Sequence, residues 1–217
     1  MQTQPPAPSP DKRAWRRLLL QQRGALSPHQ VAAQSRCIHR LLFGLPLFRR
    51  ARRVHCYLSF GAEVDTAHIF AHCQGKGQLT FAPYQDPAAG RLGSVAWGPG
   101  SPVALGRMGV PEPAERPASP VTADQMDVIL LPGLGFDPRG TRLGFGKGYY
   151  DRFLAEVGPG VAGGPALIAL AHHGQLVPAL PREAWDIPVH LIVTNLGVLV
   201  PALHPPGPAG PMDGQRH

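Results

Sequence analysis

The sequence predicts an α/β fold with a largely parallel central sheet and helices on both faces of that sheet. Short apolar runs typical of buried strands alternate along the chain with amphipathic segments typical of helices. A glycine-rich loop connects one such run, residues 127–131, to a helical segment at residues 152–157. With 217 residues, of which 43% are hydrophobic, the chain is large enough for one domain of this class.

Four helices are predicted from apolar spacing and from start signals. Ser27 is followed by Pro28 and Gln30, which is the pattern of a capping box with proline at the first helical position. Ser9 and Pro10 offer a start for the helix before it. The predicted helices are residues 11–23, a helix that begins at Ser27, a short helix from Asp65 or Thr66 to about Cys73, and residues 152–157.

The strands are predicted from short apolar runs between turn signals. They are residues 53–60, 78–82, 92–97, 127–131, 166–171, 190–194 and 197–200. The segment 83–122 is otherwise rich in loops. In open sheets of this kind ligands bind outside the carboxyl ends of the strands. The glycine-rich loop lies at such an end, after residues 127–131.

The composition indicates a single domain between two tails. Residues 1–10 and 201–217 are rich in proline and glycine and are predicted to be disordered, which leaves residues 11–200 as the domain. Apolar runs long enough for a membrane span and the apolar core of a signal peptide are both absent from the sequence. Cys37, Cys56 and Cys73 are too widely spaced for a zinc pattern. They are typical of free thiols in a reducing compartment, so a cytoplasmic location is expected.

The formal net charge of +7 raises the possibility of a nucleic-acid partner. Arginines cluster in residues 13–23 and again in residues 49–53. These clusters are not interleaved with aromatic residues, and no nucleic-acid module is recognisable. A solvated basic face, or a pocket for a polyanionic small molecule, explains the charge at least as well. No nucleic-acid or membrane partner is therefore expected.

The loop between residues 130 and 151 is the most informative segment. Besides Arg142 and Lys147 it holds six glycines, Gly133, Gly135, Gly140, Gly144, Gly146 and Gly148. Glycine lets the backbone approach a ligand closely, and backbone N–H groups beside cations bind phosphate. The alternative is a surface loop without a ligand, for which six glycines around two cations are a costly composition.

This loop matches neither common nucleotide-binding signature. Thr141 occupies the position of the first glycine of a Walker A loop, and Gly148 occupies the position of its hydroxyl residue. Tyr149 occupies the position of the third glycine of the Rossmann pattern. The fold is therefore expected to be Rossmann-like without the dinucleotide fingerprint.

Charged residues elsewhere are candidates for the same site. Lys12 and Arg16 share one face of the first helix, either as a phosphate clamp or as an exposed basic face. Glu63 follows a strand, where a carboxylate that binds substrate would lie. Asp151 and Asp186 suit Mg²⁺, which takes one or two carboxylates together with phosphate oxygens and waters. The simpler alternative is that Asp151 pairs with a nearby arginine and Asp186 begins a turn.

Other polar residues are weaker candidates. Asp65 is better explained as a helix cap than as a ligand. His172 and His173 point to opposite faces if the chain is extended there, so they are poor metal partners. Ser59 lacks the setting of a nucleophile elbow. The sequence therefore offers no side-chain nucleophile.

Three motifs, in residues 131–137, 142–151 and 180–188, resemble the 5-formyltetrahydrofolate cyclo-ligases, also called methenyltetrahydrofolate synthetases. Weaker similarities occur in the same order at residues 12–16, 27–30, 57–66 and 109–113. The resemblance implies a three-layer α/β/α fold and a monomer. It also implies the ATP- and Mg²⁺-dependent conversion of 5-formyltetrahydrofolate, with or without a polyglutamate tail, to 5,10-methenyltetrahydrofolate, with release of ADP and phosphate. The formyl oxygen would be phosphorylated, and N10 would then close the ring.

The resemblance also implies roles for individual residues. Lys147, Arg142 and Tyr149 would be catalytic, and Asp151 and Asp186 would hold Mg²⁺. ATP would be bound by Lys12, Arg16, Arg142, Leu143, Gly144, Phe145, Gly146, Lys147, Gly148, Tyr149 and Tyr150. Folate would be bound by Leu58, Glu63, Phe145, Gly146, Lys147, Gly148 and Tyr149.

Three residues depart from the family pattern as we know it. Phe145 occupies a position where a polar residue is frequent, so a phosphate contact there would come from its backbone. His190 and Asn195 replace carboxylates, so this segment is expected to offer only Asp186 to a metal. Two alternatives stay open at this point. One is a basic module that binds nucleotides or nucleic acid, and the other is a diverged ATP-binding homologue with another substrate.

Overall fold

The computed structural model describes residues 11–86, 90–106, 109–117, 119–155 and 164–202. The α-helices are α1 (Lys12–Gly24), α2 (Pro28–Gly44), α3 (Pro46–Arg50), α4 (Ala67–Gly75) and α5 (Tyr149–Ala155). The strands are β1 (Arg53–His55), β2 (Leu79–Asp86), β3 (Arg91–Ala96), β4 (Val103–Leu105), β5 (Pro111–Pro113), β6 (Val128–Leu131), β7 (Gly135–Phe136), β8 (Arg142–Leu143), β9 (Ala166–Ala171), β10 (Leu191–Thr194) and β11 (Gly197–Leu199). Residues 1–10, and all but the first two residues of the expected C-terminal tail, lie outside the described part, so disorder there stays a prediction.

A seven-stranded sheet forms the centre of the molecule, in the order β11-β10-β9-β6-β1-β2-β3. Its five inner strands are parallel to one another. The edge strands β3 and β11 are antiparallel to their neighbours. The prediction of a mostly parallel sheet is therefore confirmed.

Side chains of β6 alternate between two hydrophobic clusters on the two faces of the sheet. Val128 and Leu130 pack in a cluster with α2, α3 and α4. Ile129 and Leu131 pack in a second cluster with α5. Because neighbouring side chains of a strand point to opposite faces, the two clusters define a layer on each side of the sheet. The α/β/α layering is confirmed, with three helices on one face and α5 on the other.

The first two helices begin at capping residues. Ser27 and Gln30 form the predicted capping box, in which each side chain bonds the other residue's backbone N–H. Ser9 and Pro10, the start signal noted in the sequence, lie outside the described residues. Helix α1 begins at Lys12, one residue after the start of the predicted range, residues 11–23. Asp11 is its cap, and the carboxylate of Asp11 accepts a hydrogen bond from the N–H of Arg13.

Several predicted boundaries differ from the structure. The strand predicted at residues 53–60 ends at His55, because Ser59 and Thr66 exchange hydrogen bonds that close a loop. Strand β2 extends to Asp86, beyond the predicted end at residue 82, because its second half pairs with β3. The last predicted helix starts early, at Tyr149. Helix α3 and the two small hairpins were not predicted because they are too short for a periodic pattern.

The cysteines and the helices of the described residues bear on two further expectations. Cys56 and Cys73 are buried, Cys37 is half-buried, and all three are free thiols. Burial raises the pKa of the Cys73 thiol to about 12, so this thiol is unreactive. Among the helices of the described residues, none is long and apolar enough to span a membrane.

The packing of Phe70 gives a test of the fold. Phe70 is fully buried between α4 and the sheet, and its ring meets Trp97 edge to face at a centroid distance of 4.6 Å. We expect Phe70→Ala to lower the free energy of unfolding by about 3–5 kcal/mol in urea denaturation. Leu105 is 77% exposed, so Leu105→Ala should change the free energy of unfolding by less than about 0.5 kcal/mol. Equal effects of the two substitutions would contradict this packing.

Candidate active site

A cleft of about 490 Å³ lies at the carboxyl edge of the parallel strands. This volume is in the range of sites that bind small molecules. Every site residue predicted from the sequence lines it. These residues are Lys12, Arg16, Leu58, Glu63, Arg142, Leu143, Gly144, Phe145, Gly146, Lys147, Gly148, Tyr149, Tyr150, Asp151 and Asp186. They are brought together by α1, by the loop after β1, by the loop that leads into α5 and by the loop before β10.

Two arginines bond backbone carbonyl groups in residues 144–148, the last part of the glycine-rich loop. Arg16 Nε donates to the carbonyl of Gly144 at 3.0 Å, and Arg152 Nη2 donates to the carbonyl of Lys147 at 3.0 Å. Gly146 has φ +92°, and a Cβ there would lie 3.0 Å from the Arg16 guanidinium. The close approach of Arg16 and the left-handed backbone together explain why glycine is needed at this position.

The backbone N–H groups of residues 145–148 are free to bind a ligand. Within the described residues none of the four donates to another group. In a trans peptide the N–H points opposite to the preceding carbonyl, so the two arginines turn the N–H groups of Phe145 and Gly148 away from themselves. A row of free N–H groups beside the exposed Lys147 is a suitable cradle for phosphate oxygens.

Arg142 and Asp151 form a close ion pair in the cleft. Arg142 Nη2 lies 2.6 Å from Asp151 Oδ1. The guanidinium also lies 5.5 Å from the centre of the Tyr150 ring. Arg142 Nε and the hydroxyl of Tyr150 are buried without a partner among the described groups. Buried polar atoms normally have partners, so this corner of the cleft is ready for a polar ligand.

Lys12 is paired with carboxylates of the loop before β10. Its ammonium lies 2.7 Å from Asp186 Oδ2 and 3.1 Å from Glu183 Oε2. Burial lowers the pKa of Lys12, but the hydrogen bonds to Asp186 and Glu183 outweigh it and raise that pKa above its ordinary value. Lys12 is therefore fully charged. Asp186 also accepts from the N–H of Glu183, as expected for a residue at a turn.

Asp151 and Asp186 could bind a metal ion only together with a ligand that supplies further oxygen atoms. Asp151 and Asp186 both line the cleft, and each is ion-paired with a cation. In the described part of the chain, no three His, Cys, Asp or Glu side chains form a metal cluster. Two carboxylates are enough for Mg²⁺ when phosphate oxygens and waters complete its coordination. The residues present therefore fit a metal that arrives with a phosphate ligand.

Glu63 forms a buried ion pair that the sequence did not predict. Arg23 Nη1 lies 3.2 Å from Glu63 Oε1, and both side chains are at most 6% exposed. The other oxygen of Glu63 accepts from the N–H of Phe60 at 3.3 Å. Burial raises the pKa of Glu63, and the nearby Arg23 limits that increase. Arg23 lies forty positions from Glu63 in the chain, so only the folded structure brings them together.

Aromatic side chains border the cleft on the side of Glu63. The rings of Phe60 and Phe145 lie 6.1 Å apart, and the Arg23 guanidinium lies 5.6 Å from the Phe145 ring. Phe145 is 44% exposed, so it offers an apolar surface to a ligand. The sequence prediction did not include several further lining residues. These are Tyr57, Phe60, Pro83, Tyr84, Gln85, Leu92, Val110, Pro111, Glu112, Pro132 and Gly133.

His190 and Asn195, which from the sequence are expected to offer nothing to a metal, have structural contacts. His190 Nδ1 accepts from the N–H of Leu167 at 3.0 Å. Asn195 Oδ1 accepts from the N–H of His173 at 2.8 Å. Neither residue lines the cleft. Asp186 is therefore the only one of these three positions that lies at the site.

Known proteins similar to this chain agree on its family. The model of the 5-formyltetrahydrofolate cyclo-ligase family matches residues 8–195. The 5-formyltetrahydrofolate cyclo-ligase of Escherichia coli K12 is 32% identical over 183 residues, which are 82% of this chain and 96% of that protein. The chain belongs to the 5-formyltetrahydrofolate cyclo-ligase family. The cyclo-ligase of Mus musculus is 30% identical over 183 residues, covering 82% of this chain and 90% of that protein.

Solved structures agree with this placement in the cyclo-ligase family. The NMR structure of Aquifex aeolicus 5,10-methenyltetrahydrofolate synthetase superposes with a TM-score of 0.74 at 30% identity. It covers 95% of this chain and 99% of that one. The synthetase of Mycoplasma pneumoniae superposes with a TM-score of 0.67 at 24% identity, covering 85% and 99%, and supports the fold.

The buried pair of Glu63 and Arg23 gives a stability test in this cyclo-ligase family member. We expect Glu63→Gln to lower the free energy of unfolding by about 3–5 kcal/mol, because it leaves the Arg23 charge buried without a partner. Glu183→Gln breaks an ion pair whose carboxylate is 46% exposed and should cost at most about 1 kcal/mol. Urea denaturation at pH 7 measures both. A loss for Glu63→Gln no larger than for Glu183→Gln would show that the pair is not buried.

Proposed function

We propose that this chain converts 5-formyltetrahydrofolate to 5,10-methenyltetrahydrofolate with ATP and Mg²⁺. The observation that carries this proposal is the free row of N–H groups at residues 145–148, with Lys147, Arg142 and Asp151 around it. Such a cradle suits a polyphosphate. The same cleft continues to an apolar wall and a buried carboxylate, which suit a folate. The names of the relatives, 5-formyltetrahydrofolate cyclo-ligase and 5,10-methenyltetrahydrofolate synthetase, support the choice of a folate substrate.

The nucleotide is assigned to the glycine-rich side of the cleft. Lys12 and Arg16 reach this side from α1, as a phosphate clamp requires. The loop Arg142–Tyr150 supplies N–H groups and two cations. Asp151 and Asp186 would hold Mg²⁺, which neutralises charge on the phosphate oxygens when bound. The ion pairs seen now would then exchange, with the cations turning to phosphate and the carboxylates to the metal.

The folate is assigned to the side formed by the loop after β1. Leu58 is half-buried and Phe145 is exposed, and both face the cleft. Glu63 provides a carboxylate next to them, fixed by Arg23. A flat ring system with hydrogen-bond donors at one edge can pack on the apolar surface and donate to a carboxylate. The pterin ring of a folate has this chemistry.

The chemistry proposed needs positioning and charge neutralisation and no side-chain nucleophile. The formyl oxygen attacks the γ-phosphorus of ATP and ADP leaves. N10 then attacks the activated formyl carbon, phosphate leaves, and the N10 proton is released. Lys147 and Arg142 stabilise the charge on the transferred phosphoryl group. Tyr149 lines the cleft with the Arg152 guanidinium 5.3 Å from its ring, and we assign it the role of positioning the reacting groups where the two subsites meet.

The activity itself is the first test of this assignment. The purified chain should give the near-UV absorbance of the methenyl product from 5-formyltetrahydrofolate only when both ATP and Mg²⁺ are present. Lys147→Ala should reduce kcat by about 100-fold, because a charge next to the transferred group is lost. Lys76 is exposed and does not line the cleft, so Lys76→Ala should leave kcat unchanged. ATP binding without any product would indicate a diverged homologue with another substrate.

The KM values for ATP and for folate test whether the two substrates bind in separate subsites. Lys12→Ala should raise KM for ATP by about tenfold, because one phosphate contact is lost, and should leave KM for folate unchanged. Leu58→Ala should raise KM for folate by about tenfold with KM for ATP unchanged. Steady-state kinetics with each substrate varied in turn measures both values. If either variant raised both KM values equally, our division of the cleft would be wrong.

A further inference from the structure

The loop that carries Glu63 (residues 59–66, the Glu63 loop) is held by side chains from several parts of the fold. Ser35 Oγ accepts a hydrogen bond from the N–H of Asp65 at 3.0 Å. Tyr57 Oη donates to the carbonyl of Val64 at 3.2 Å. These contacts fix the backbone on the C-terminal side of Glu63, so the position of its carboxylate depends on them.

Two histidines also bond the backbone of this loop, one before and one after Glu63 in the sequence. His39 Nε2 lies 2.6 Å from the carbonyl oxygen of Asp65, and His172 Nε2 lies 3.2 Å from that of Ala62. A carbonyl oxygen only accepts, so Nε2 carries the proton in both rings. Nδ1 of each ring is buried without a partner among the described groups. Both histidines are therefore neutral Nε2–H tautomers.

Adding a second proton to either imidazole ring is energetically unfavourable in the folded protein. The proton would bind Nδ1 and leave a buried N–H donor without an acceptor. Around His39, the ring of His68 lies 5.3 Å away and opposes the added charge, while Asp65 favours it. Beside His172, the Arg23 cation opposes the added charge, while hydrogen bonding to the backbone of the Glu63 loop favours it.

Burial is the largest influence on both rings. It lowers the pKa of His39 and of His172 below the ordinary value of 6.5. A lowered pKa means that the neutral rings persist below pH 6.5, and that the folded state loses stability relative to the unfolded chain as the pH falls below that value. The glycine-rich loop is held by Arg16 and Arg152 and not by histidines.

We propose that His39 and His172 are positioning residues that hold Glu63 at the folate end of the cleft only while both rings are neutral. Acid then weakens folate binding while ATP binding is retained. This inference rests on the proposed function, because it needs a folate on the Glu63 side. The two histidines touch neither ligand and act through the backbone on either side of Glu63.

The pH dependence of ligand binding tests this inference. Binding of 5-formyltetrahydrofolate, and separately of ATP with Mg²⁺, is measured by calorimetry between pH 5 and 8. The folate Kd of the wild-type chain should stay constant from pH 8 to 6.5 and rise at lower pH, by about tenfold per pH unit once the pH is below the lowered pKa of either ring, while the ATP Kd changes much less. In the double variant His39→Gln and His172→Gln, the amide can still donate to the carbonyls but does not titrate. Its folate Kd should stay nearly constant over the same range.

Two further variants keep the test independent of folding. His39→Leu and His172→Leu remove the donor and should raise the folate Kd by about tenfold at pH 7.5 with the ATP Kd unchanged. The retained ATP affinity shows that each variant is folded. His173→Gln is the matched control, because its side chain is exposed beside His172, and it should behave as the wild type does.

The outcomes separate this inference from the proposed function. A wild-type chain that binds ATP but no folate overturns both. A chain that binds folate, with unchanged Kd values in the leucine variants, overturns the positioning role alone. Glu63 has a raised pKa of its own. An acid weakening of folate binding that persists in the double glutamine variant would therefore belong to Glu63 and would also overturn the role of the histidines.

Discussion

The parallel arrangement of the inner strands is the constraint on which the site depends. Strands β1, β6 and β9 end at the same edge of the sheet, so the segments that follow them meet there although they are far apart in the chain. Those segments carry Glu63, the glycine-rich loop and Gln175. Gln175 donates to the carbonyl of Gly133 at 2.7 Å, and Arg23 adds a contact from α1. The cleft is thus a consequence of strand direction, and the side chains fix its details.

Four charges of the cleft are already paired before any ligand enters. Arg142 pairs with Asp151, and Lys12 pairs with Asp186. Holding charges in a partly buried cleft costs free energy unless each has a partner. In the proposed function, the two ion pairs would separate when a polyphosphate and Mg²⁺ bind. Each cation would then bind phosphate oxygens in place of its carboxylate, and each carboxylate would bind the metal in place of its cation. The number of paired charges is preserved, so binding does not leave a buried charge alone.

Local patterns allowed the mostly parallel sheet and the capping box at Ser27 to be predicted from the sequence, and the family resemblance supplied fifteen of the residues that line the cleft. Each of these depends on neighbouring residues or on a motif that the chain carries in one piece. The partners of Glu63 could not be predicted in this way. Arg23 and His172 come from distant segments, and nothing near them in the sequence distinguishes them from other arginines and histidines. Strand β1 was predicted too long because its end is set by the hydrogen bonds between Ser59 and Thr66, which are contacts across a loop.

Phe145 illustrates how backbone and side chain divide their roles. Its N–H belongs to the free row of the cradle, and that role does not depend on the side chain. Its ring lies 6.1 Å from Phe60 and beside the Arg23 guanidinium, so it connects the glycine-rich loop to the Glu63 loop. A charged side chain here would lie beside Arg23, which already serves Glu63. The aromatic residue avoids that competition and, in the proposed function, gives the two subsites a shared apolar wall.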